Sequence, residues 1–515
     1  MRKSLFILGI AALSVLLVST ITLAAGDVLV IGNETDARTE DPQKVHDHQE
    51  GQIAWNVYEG LLKYDVADFS IKPVLAVSWE VAQDLKSCTF HLRQGIKFHD
   101  GTPFNADAVA YAMERLLALG QTPATYLQTV KSWKVIDSYT ITFYTDAAWA
   151  LWEDAFASHK GLSIPSPTFV KAHATKDDPW AENWMGDHTC GTGPYTLAEW
   201  VKGQYVKAVW YPEYWGGWPT DKTFFKTIIL KYIPEISMRT LLLKSGEIDY
   251  TAHINPRDID ELRADPKIQV EVVSAMAQMF IFLNQSKPPL YDAKLREAIS
   301  YAIDYQACAD TYLPGTKVAH GILSSSMPGF EPSIPESKQD MAKAKQLFAA
   351  AGYKPGEVEI ELVPIAGTFE VDTALVVQQN LAELGIKVNI KPLPWSIYQD
   401  LRLNAETMPQ MSFMYLELFL ADPIGIFDEG FTPDAIFKTG YNNPQVGLLI
   451  DGAQGLASRE ERWGVYKLAQ QLVYPDHPAL YMWEMAFIFA HRADVKGFVP
   501  DRMHLSLDVH SLWRG

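Results

Sequence analysis

The stretch FHLRQGIKFHDGTPFNADAV, residues 90–109, decides how the rest of the chain is read. It sets His99 and Asp100 side by side ahead of Gly101-Thr102-Pro103. That pair is either a catalytic or metal-binding couple or a tight corner. Neighbouring residues on a strand point to opposite faces, so the two side chains do not converge on one substrate. Asp100-Gly101 followed by Pro103 is turn chemistry, and Asn105 can cap a helix starting near Ala106. Strand, turn and capped helix account for nearly every residue here. The stretch reads as structure, and the chain as something that holds a ligand unchanged.

Other candidates for chemistry fare similarly. His46-Asp47-His48 has two histidines that share a face only on a strand, and it lacks a third ligand nearby, so it reads as a solvated loop. The sequence contains no HExxH, GxSxG or GxxxxGK[ST], and GTGPY at 191–195 lacks the phosphate-loop lysine. Cys88, Cys190 and Cys308 form no CxxC pair. An oxidising compartment permits one disulfide among them with a thiol left over, and three buried thiols are the alternative. No catalytic residue, metal or cofactor is implied.

Arg2 and Lys3 precede an apolar run from Leu5 to Val18, followed by the small-residue site Thr22-Leu23-Ala24. This is the layout of a secretory signal peptide, residues 1–24, with cleavage near Ala24 or Ala25. A retained anchor is the competing reading, since the run approaches spanning length. The site's position favours removal, and with no cysteine at the junction a lipoprotein anchor is not expected. No later stretch is apolar enough to cross a bilayer. The chain has 44 basic and 62 acidic residues, and the signal removes two basic ones, so the exported chain carries 42 − 62 = −20. That balance favours solubility and argues against a nucleic-acid partner. The remaining 515 − 24 = 491 residues exceed one core and imply two or three domains.

Periodicity gives a strand in DVLVI (27–31), a helix over QIAWNVYEGLLKY (52–64), and strands around a glycine turn in CTFHLRQGIKF. WKVIDSYTITFY reads as a hairpin turning at Asp137-Ser138, and ISMRTLLLKSGEIDY as a helix stopped near Gly246. EVEIELVPI, VDTALVVQQNLAEL and IKVNIKPL read as strand, helix and strand, a right-handed parallel unit. QDMAKAKQLFAAAGY and SREERWGVYKLAQQLV are further helices.

Several blocks, in order, carry a family resemblance. Residues 75–117 (LAVSWEV…AMERL), 190–217 (CGTGPYTLAEW…YWGG), 238–250 (MRTLLLKSGEIDY) and 282–307 (FLNQSKPPLYD…AIDYQA) resemble the extracellular solute-binding proteins that feed ABC importers. The resemblance is to the dipeptide-, oligopeptide- and nickel-binding family, family 5, and covers nearly the whole exported chain. It implies an α/β fold of the periplasmic binding protein type II, cluster C: two lobes joined by a hinge, with an extra inserted domain. Lobe I would be assembled from 25–60, 186–280 and 474–515, the inserted domain II would span 61–185, and lobe III 281–473. The hinge would lie near Phe282-Leu283-Asn284 and between Tyr474 and Tyr481. The protein would be a periplasmic monomer that closes on a small organic solute and docks on an inner-membrane ABC permease.

In peptide-binding members an acid in a Trp-x-x-Asp segment receives the α-ammonium. Here the matching segment is YLELFLADPIG (415–425), with Phe419 at the acid's position and Leu416 at the tryptophan's. No Arg or Lys for a peptide carboxylate lies in VPIAGTFEVD (363–372). A neutral solute such as an oligosaccharide is therefore slightly favoured, with a peptide held through Glu417, or a nickel complex held by His46, His48 or His491, as alternatives. Flat rings for sugar faces come from Trp395, Tyr415, Phe419 and Trp483, and acceptors from Glu417, Asp422 and Glu484. Glu34, after the first strand, and Tyr126, in the inserted domain, match regions that reach the cleft. Trp395 facing Trp483 would favour a sugar. A buried Glu417 with a distant cation would favour a zwitterion.

Overall fold

Two long antiparallel strands, Ile268–Leu283 and Ala479–Arg492, carry the architecture. The computed structural model describes residues 27–45, 50–503 and 505–515, so the signal segment and His46-Asp47-His48 lie outside the described residues. The two strands sit at the centre of a ten-stranded mixed sheet. On one side follow Tyr250–Ala252, Val28–Asn33, Thr227–Tyr232, Tyr205–Trp210 and Tyr195–Val201. On the other lie Met411–Glu417, Glu359–Val363 and Lys387–Ile390, the last two parallel as expected of strand, helix and strand.

The pairing shows where the chain passes between the two half-sheets. Residues 268–274 pair with 486–492 beside the first half, and 277–283 pair with Met411–Glu417 of the second. The change falls at a register shift between Ser274 and Gln278, opposite Glu484 to Ala486. A bulge leaves residues outside the ladder and bends the strand, which suits a change of partner.

Helices cover both faces. On one face, helices Ile236–Ser245 and Ile259–Ala264 pack Leu243 and Leu262 on Ile488 and Ala490. Farther along that face, helices Ala293–Ala302, Tyr305–Tyr312, Met341–Ala350 and Glu370–Ala382 bury Met279, Ile281, Phe413 and Trp483. The opposite face joins the second half-sheet to the inserted domain, where Phe90, Phe143 and Trp152 share one core with Phe427 and Tyr466. Among the described residues no helix is long and apolar enough to cross a membrane.

The opening stretch is a corner between these parts. Asn105 caps helix Ala106–Leu119 by accepting from Ala108 N at 3.0 Å. Asp100 turns outward to accept from Thr102 N (3.0 Å) and Ser166 Oγ (2.6 Å). His99 instead reaches the GTGPY segment: Gly191 N donates to Nδ1 at 3.2 Å, which leaves Nε2–H to donate to Gly193 O at 2.8 Å. Burial pulls the His99 pKa down to about 4, so the ring is neutral. Gly191 and Gly193 are required because a Cβ there would meet Val57 O at 2.2 and 2.7 Å.

One element departs from the sequence reading. The helix expected over 52–64 stops after Val57, and Leu62–Tyr64 is a strand paired with Ile71–Pro73. Gly60 runs close to the Leu162 carbonyl, and Glu59 turns inward to accept from Trp215 Nε1, Tyr214 OH and Thr192 Oγ1. Tertiary contacts override the local apolar spacing. The three cysteines are free and buried.

Candidate functional site

The strand Met411–Glu417 ends between the half-sheets, and the residues that follow it build an acidic corner. Leu418 is buried, and Phe419 turns toward the inserted domain. Its ring lies 6.0 Å from that of Tyr126, Lys160 Nζ stands 4.1 Å above it, and its carbonyl accepts from Ser158 Oγ at 3.1 Å. The aromatic ring at the position expected to be acidic thus makes a cation–π contact with a buried lysine.

Acidity is supplied by its neighbours. Glu429, in the last turn of helix Ile424–Gly430, is pushed up to about 8, first by burial and then by the Glu417 charge; Arg402 and Lys160 pull the other way. No described donor hydrogen-bonds the Glu429 carboxyl. Burial and the charges of Glu429 and Glu417 raise the Tyr126 hydroxyl well above its ordinary range, so it stays protonated. The corner therefore holds two mutually repelling carboxyls, a phenol, a lysine and a face of Phe419. A cation entering it would relieve the repulsion.

The sequence-predicted residues divide into three groups. Tyr126, Glu417 and Phe419 come together in this corner. Tyr415, 43 % exposed, lies two residues back on the same strand, and Trp395, 42 % exposed, stands at its edge beneath Arg402 Cζ at 4.8 Å. Glu34 lies on the other half-sheet, where it accepts from Arg239 Nη2 and pairs with His253 Nδ1, both at 3.1 Å.

Asp422 and Trp483 are both enclosed in the fold. Asp422 is buried and saturated by Arg462 Nε (2.8 Å), Tyr466 OH (2.6 Å) and its own turn, so its carboxylate serves the fold. Trp483 is fully buried, stacked on Tyr312 at 6.0 Å in the second-half core, and cannot face Trp395. Glu484 is buried as well and accepts from Ser325 N and Oγ at 2.7 and 2.8 Å. His491 is buried and hydrogen-bonded to Arg492 O, and no group of three or more metal-binding side chains occurs among the described residues.

Glu429, Lys160 and Arg402 were missed by the sequence reading. One signal was present for Glu429. Two acids, Asp428 and Glu429, end a helix where the dipole is already negative, a local violation of the kind that marks functional sites. Lys160 carries no such mark.

A second feature crosses the half-sheets. A cavity of about 520 Å³ opens beside the crossing strands at Val272–Ser274 and Glu484–Ala486. Helix Ile259–Ala264 walls one side, and the loop Leu313–Lys317 the other.

The inserted domain is latched to the second half-sheet. Asp154 binds Arg459 at 2.7 Å and lies 3.8 Å from Arg462, while Tyr64 OH donates to Asp154 Oδ1 (2.9 Å) and accepts from Ala421 N (3.1 Å). Ala150 N reaches Gln454 O at 2.9 Å.

Known proteins resemble the chain throughout. The family described as bacterial extracellular solute-binding proteins, family 5 Middle, matches residues 70–436. The probable D,D-dipeptide-binding periplasmic protein DdpA of Escherichia coli (strain K12) is 30% identical over 486 residues, 93% of this chain and 92% of its own. Heme-binding protein A of Haemophilus influenzae is 27% identical over 476 residues, covering 86% and 84%. The structure of the periplasmic binding protein DppA from Helicobacter pylori in complex with peptide STSA superposes with a TM-score of 0.81 at 23% identity, over 95% of this chain and 99% of that one.

Proposed function

Since the chain belongs to the bacterial extracellular solute-binding proteins of family 5, the non-enzymatic binding components of ABC importers, we propose that its solute is a short peptide or peptide-like amine. The observation that carries this reading is the Glu417–Glu429 pair, a desolvated acidic corner matched to an ammonium group. It does the work of the acid replaced by Phe419. The name of the E. coli relative points the same way, while that of the H. influenzae relative warns that family alone does not fix the ligand.

The neutral-sugar reading loses its main support because Trp483 is enclosed in a core and offers no second stacking face. The lobe division at 25–60, 61–185, 186–280, 281–473 and 474–515, export through a cleaved signal, and action as a monomer on an ABC permease belong to this proposal. Glu34, Tyr126, Trp395, Tyr415, Glu417 and Phe419 are its ligand-facing residues.

Thermal melting tests it. Ala-Ala-Ala or D-Ala-D-Ala at a hundredfold excess over Kd should stabilise the protein by about 2.7 kcal/mol. N-acetylated Ala-Ala-Ala and maltotriose should shift the midpoint little. A shift with maltotriose and none with free peptides would return the assignment to neutral solutes.

A further inference from the structure

We propose that a clamp of Ser325 and Ser326 from one lobe and Arg502 from the other holds the crossing strands at their register shift, and that it sets the fraction of the protein standing ready to bind. The inference rests on the reading that two lobes enclose a solute, and is independent of which solute that is.

The first ground is a gap in the ladder. Strand Ile268–Leu283 pairs with Ala479–Arg492 as far as Ser274 and again from Gln278, and the backbone between has no partner on that strand. Ala275 and Met276 are buried, so their polar groups must be satisfied from elsewhere. Partners come from both halves of the molecule. Arg502 belongs to the C-terminal segment, whose Leu505 and Leu507 pack in the core of the first half-sheet. Its Nε donates to Ser274 O at 3.0 Å, and its carbonyl accepts from Met276 N at 2.8 Å. From the second half, Ser326 Oγ donates to Ala275 O at 2.7 Å and Leu418 N to Met276 O at 3.0 Å. Successive carbonyls of one strand are thus held by donors from opposite halves. A turn of one half against the other at this gap draws at least one carbonyl from its donor.

The second ground is that the same loop grips the facing strand. Ser325 N and Oγ donate to Glu484, which stands opposite Gln278 in the ladder. Glu484 N donates to Lys317 O at 3.0 Å, and Gln278 Nε2 donates to Gly321 O. The Ser324 and Ser326 hydroxyls share a hydrogen bond of 2.8 Å that ties the loop together. Residues 317–326 therefore splint both crossing strands where a few positions must absorb any hinge motion.

The third ground is the arrangement so held. It leaves the cavity of about 520 Å³ between helix Ile259–Ala264 and the loop Leu313–Lys317, a size within the roughly 300–1,000 Å³ of small-molecule sites. The clamped arrangement is the binding-competent one, and apparent affinity scales with its population.

The test is calorimetric titration of wild type, Ser326→Ala, Arg502→Gln and the double variant with Ala-Ala-Ala and with D-Ala-D-Ala. Ile299→Val, in the core under helix Ala293–Ala302, is the control for lost stability alone. Loss of one such hydrogen bond moves a two-state balance by about fivefold. Each single variant should bind both peptides more weakly by one common factor of up to about fivefold, and the double variant more weakly still. The control should bind as wild type does, although its melting midpoint falls. In small-angle scattering without ligand, the double variant should show a larger radius of gyration than wild type and the control should not. Factors that differ between the two peptides would make these residues ligand contacts, and an unchanged affinity or an unchanged radius would make the bonds merely structural. Each of these results overturns the clamp. If neither peptide binds wild type, the amine reading falls and the scattering comparison alone decides the clamp.

Discussion

Replacing Glu429 by Gln should make the ligand-free protein more stable and the liganded one weaker. Glu429 faces Glu417 and Asp428, with Arg402, Lys160 and the Tyr126 hydroxyl also close, and its carboxyl is pushed from 4.5 up to about 8. A raised native pKa means that the folded protein binds the proton more tightly than the unfolded chain. Stability from this group is therefore greatest below pH 4.5 and is lost as pH rises through 8. Near neutrality the native carboxyl is about nine-tenths protonated, and the penalty relative to an ionised unfolded Glu is about 3 kcal/mol. Glu429→Gln should recover a good part of that in chemical denaturation at pH 7, and almost none at pH 4.

Binding responds in the opposite sense. An ammonium needs the ionised carboxylate, whose population rises about fiftyfold from pH 6 to pH 8. Affinity for Ala-Ala-Ala should climb over that range and fall again above about pH 8 as the peptide amine deprotonates. Calorimetry at pH 7 in buffers of different ionisation enthalpy should record release of about 0.8 proton per peptide, about 0.9 from Glu429 less the little taken up by the amine. In Glu429→Gln the release should vanish and affinity at pH 8 drop by at least about tenfold. Affinity flat between pH 6 and 8, with no proton released, would refute the reasoning.

Other consequences are simpler. Arg462→Met should cost about 3–5 kcal/mol in urea unfolding at pH 7, because it strands buried Asp422 and weakens the hold on Asp154. Arg459→Ala removes the shorter Asp154 pair of the latch, and should enlarge the ligand-free radius of gyration in small-angle scattering at pH 7. Asp154 is itself raised to about 6, chiefly by burial, so the effect should fade below pH 6 as the carboxyl protonates. His99, held near 4 by burial, should cost the native state up to about 3 kcal/mol as pH falls from 6.5 to 4; His99→Asn should flatten that slope in pH-dependent unfolding. Burial raises the Cys190 and Cys308 thiols to about 12, and Cys88 also upward. A thiol reagent should find none of the three in the native protein and all three in denaturant, and reductant should leave the melting midpoint unchanged.

Elements whose signals are local were legible. Alternation and Asp137-Ser138 placed the hairpin 132–144, and apolar periodicity placed helix Arg459–Val473. The His99-Asp100 corner was legible because turn and cap chemistry explained each residue without a ligand. What failed was long-range. Nothing near Asp422-Pro423 reveals Arg462, forty positions on, that neutralises the carboxylate. Trp483 sits on a strand covered on both faces, so alternation could not separate cleft from core. The helix over 52–64 had suitable spacing, but the backbone around Gly60 is fixed by Leu162 from the inserted domain. Glu429 was visible only as an acid at the wrong end of a helix.

The most direct measurement is a crystal structure of the protein grown with Ala-Ala-Ala at pH 8. The account predicts the peptide amine within about 3 Å of the Glu417 and Glu429 carboxylates. A peptide bound in the cleft with its amine away from the Glu417 and Glu429 carboxylates would contradict it.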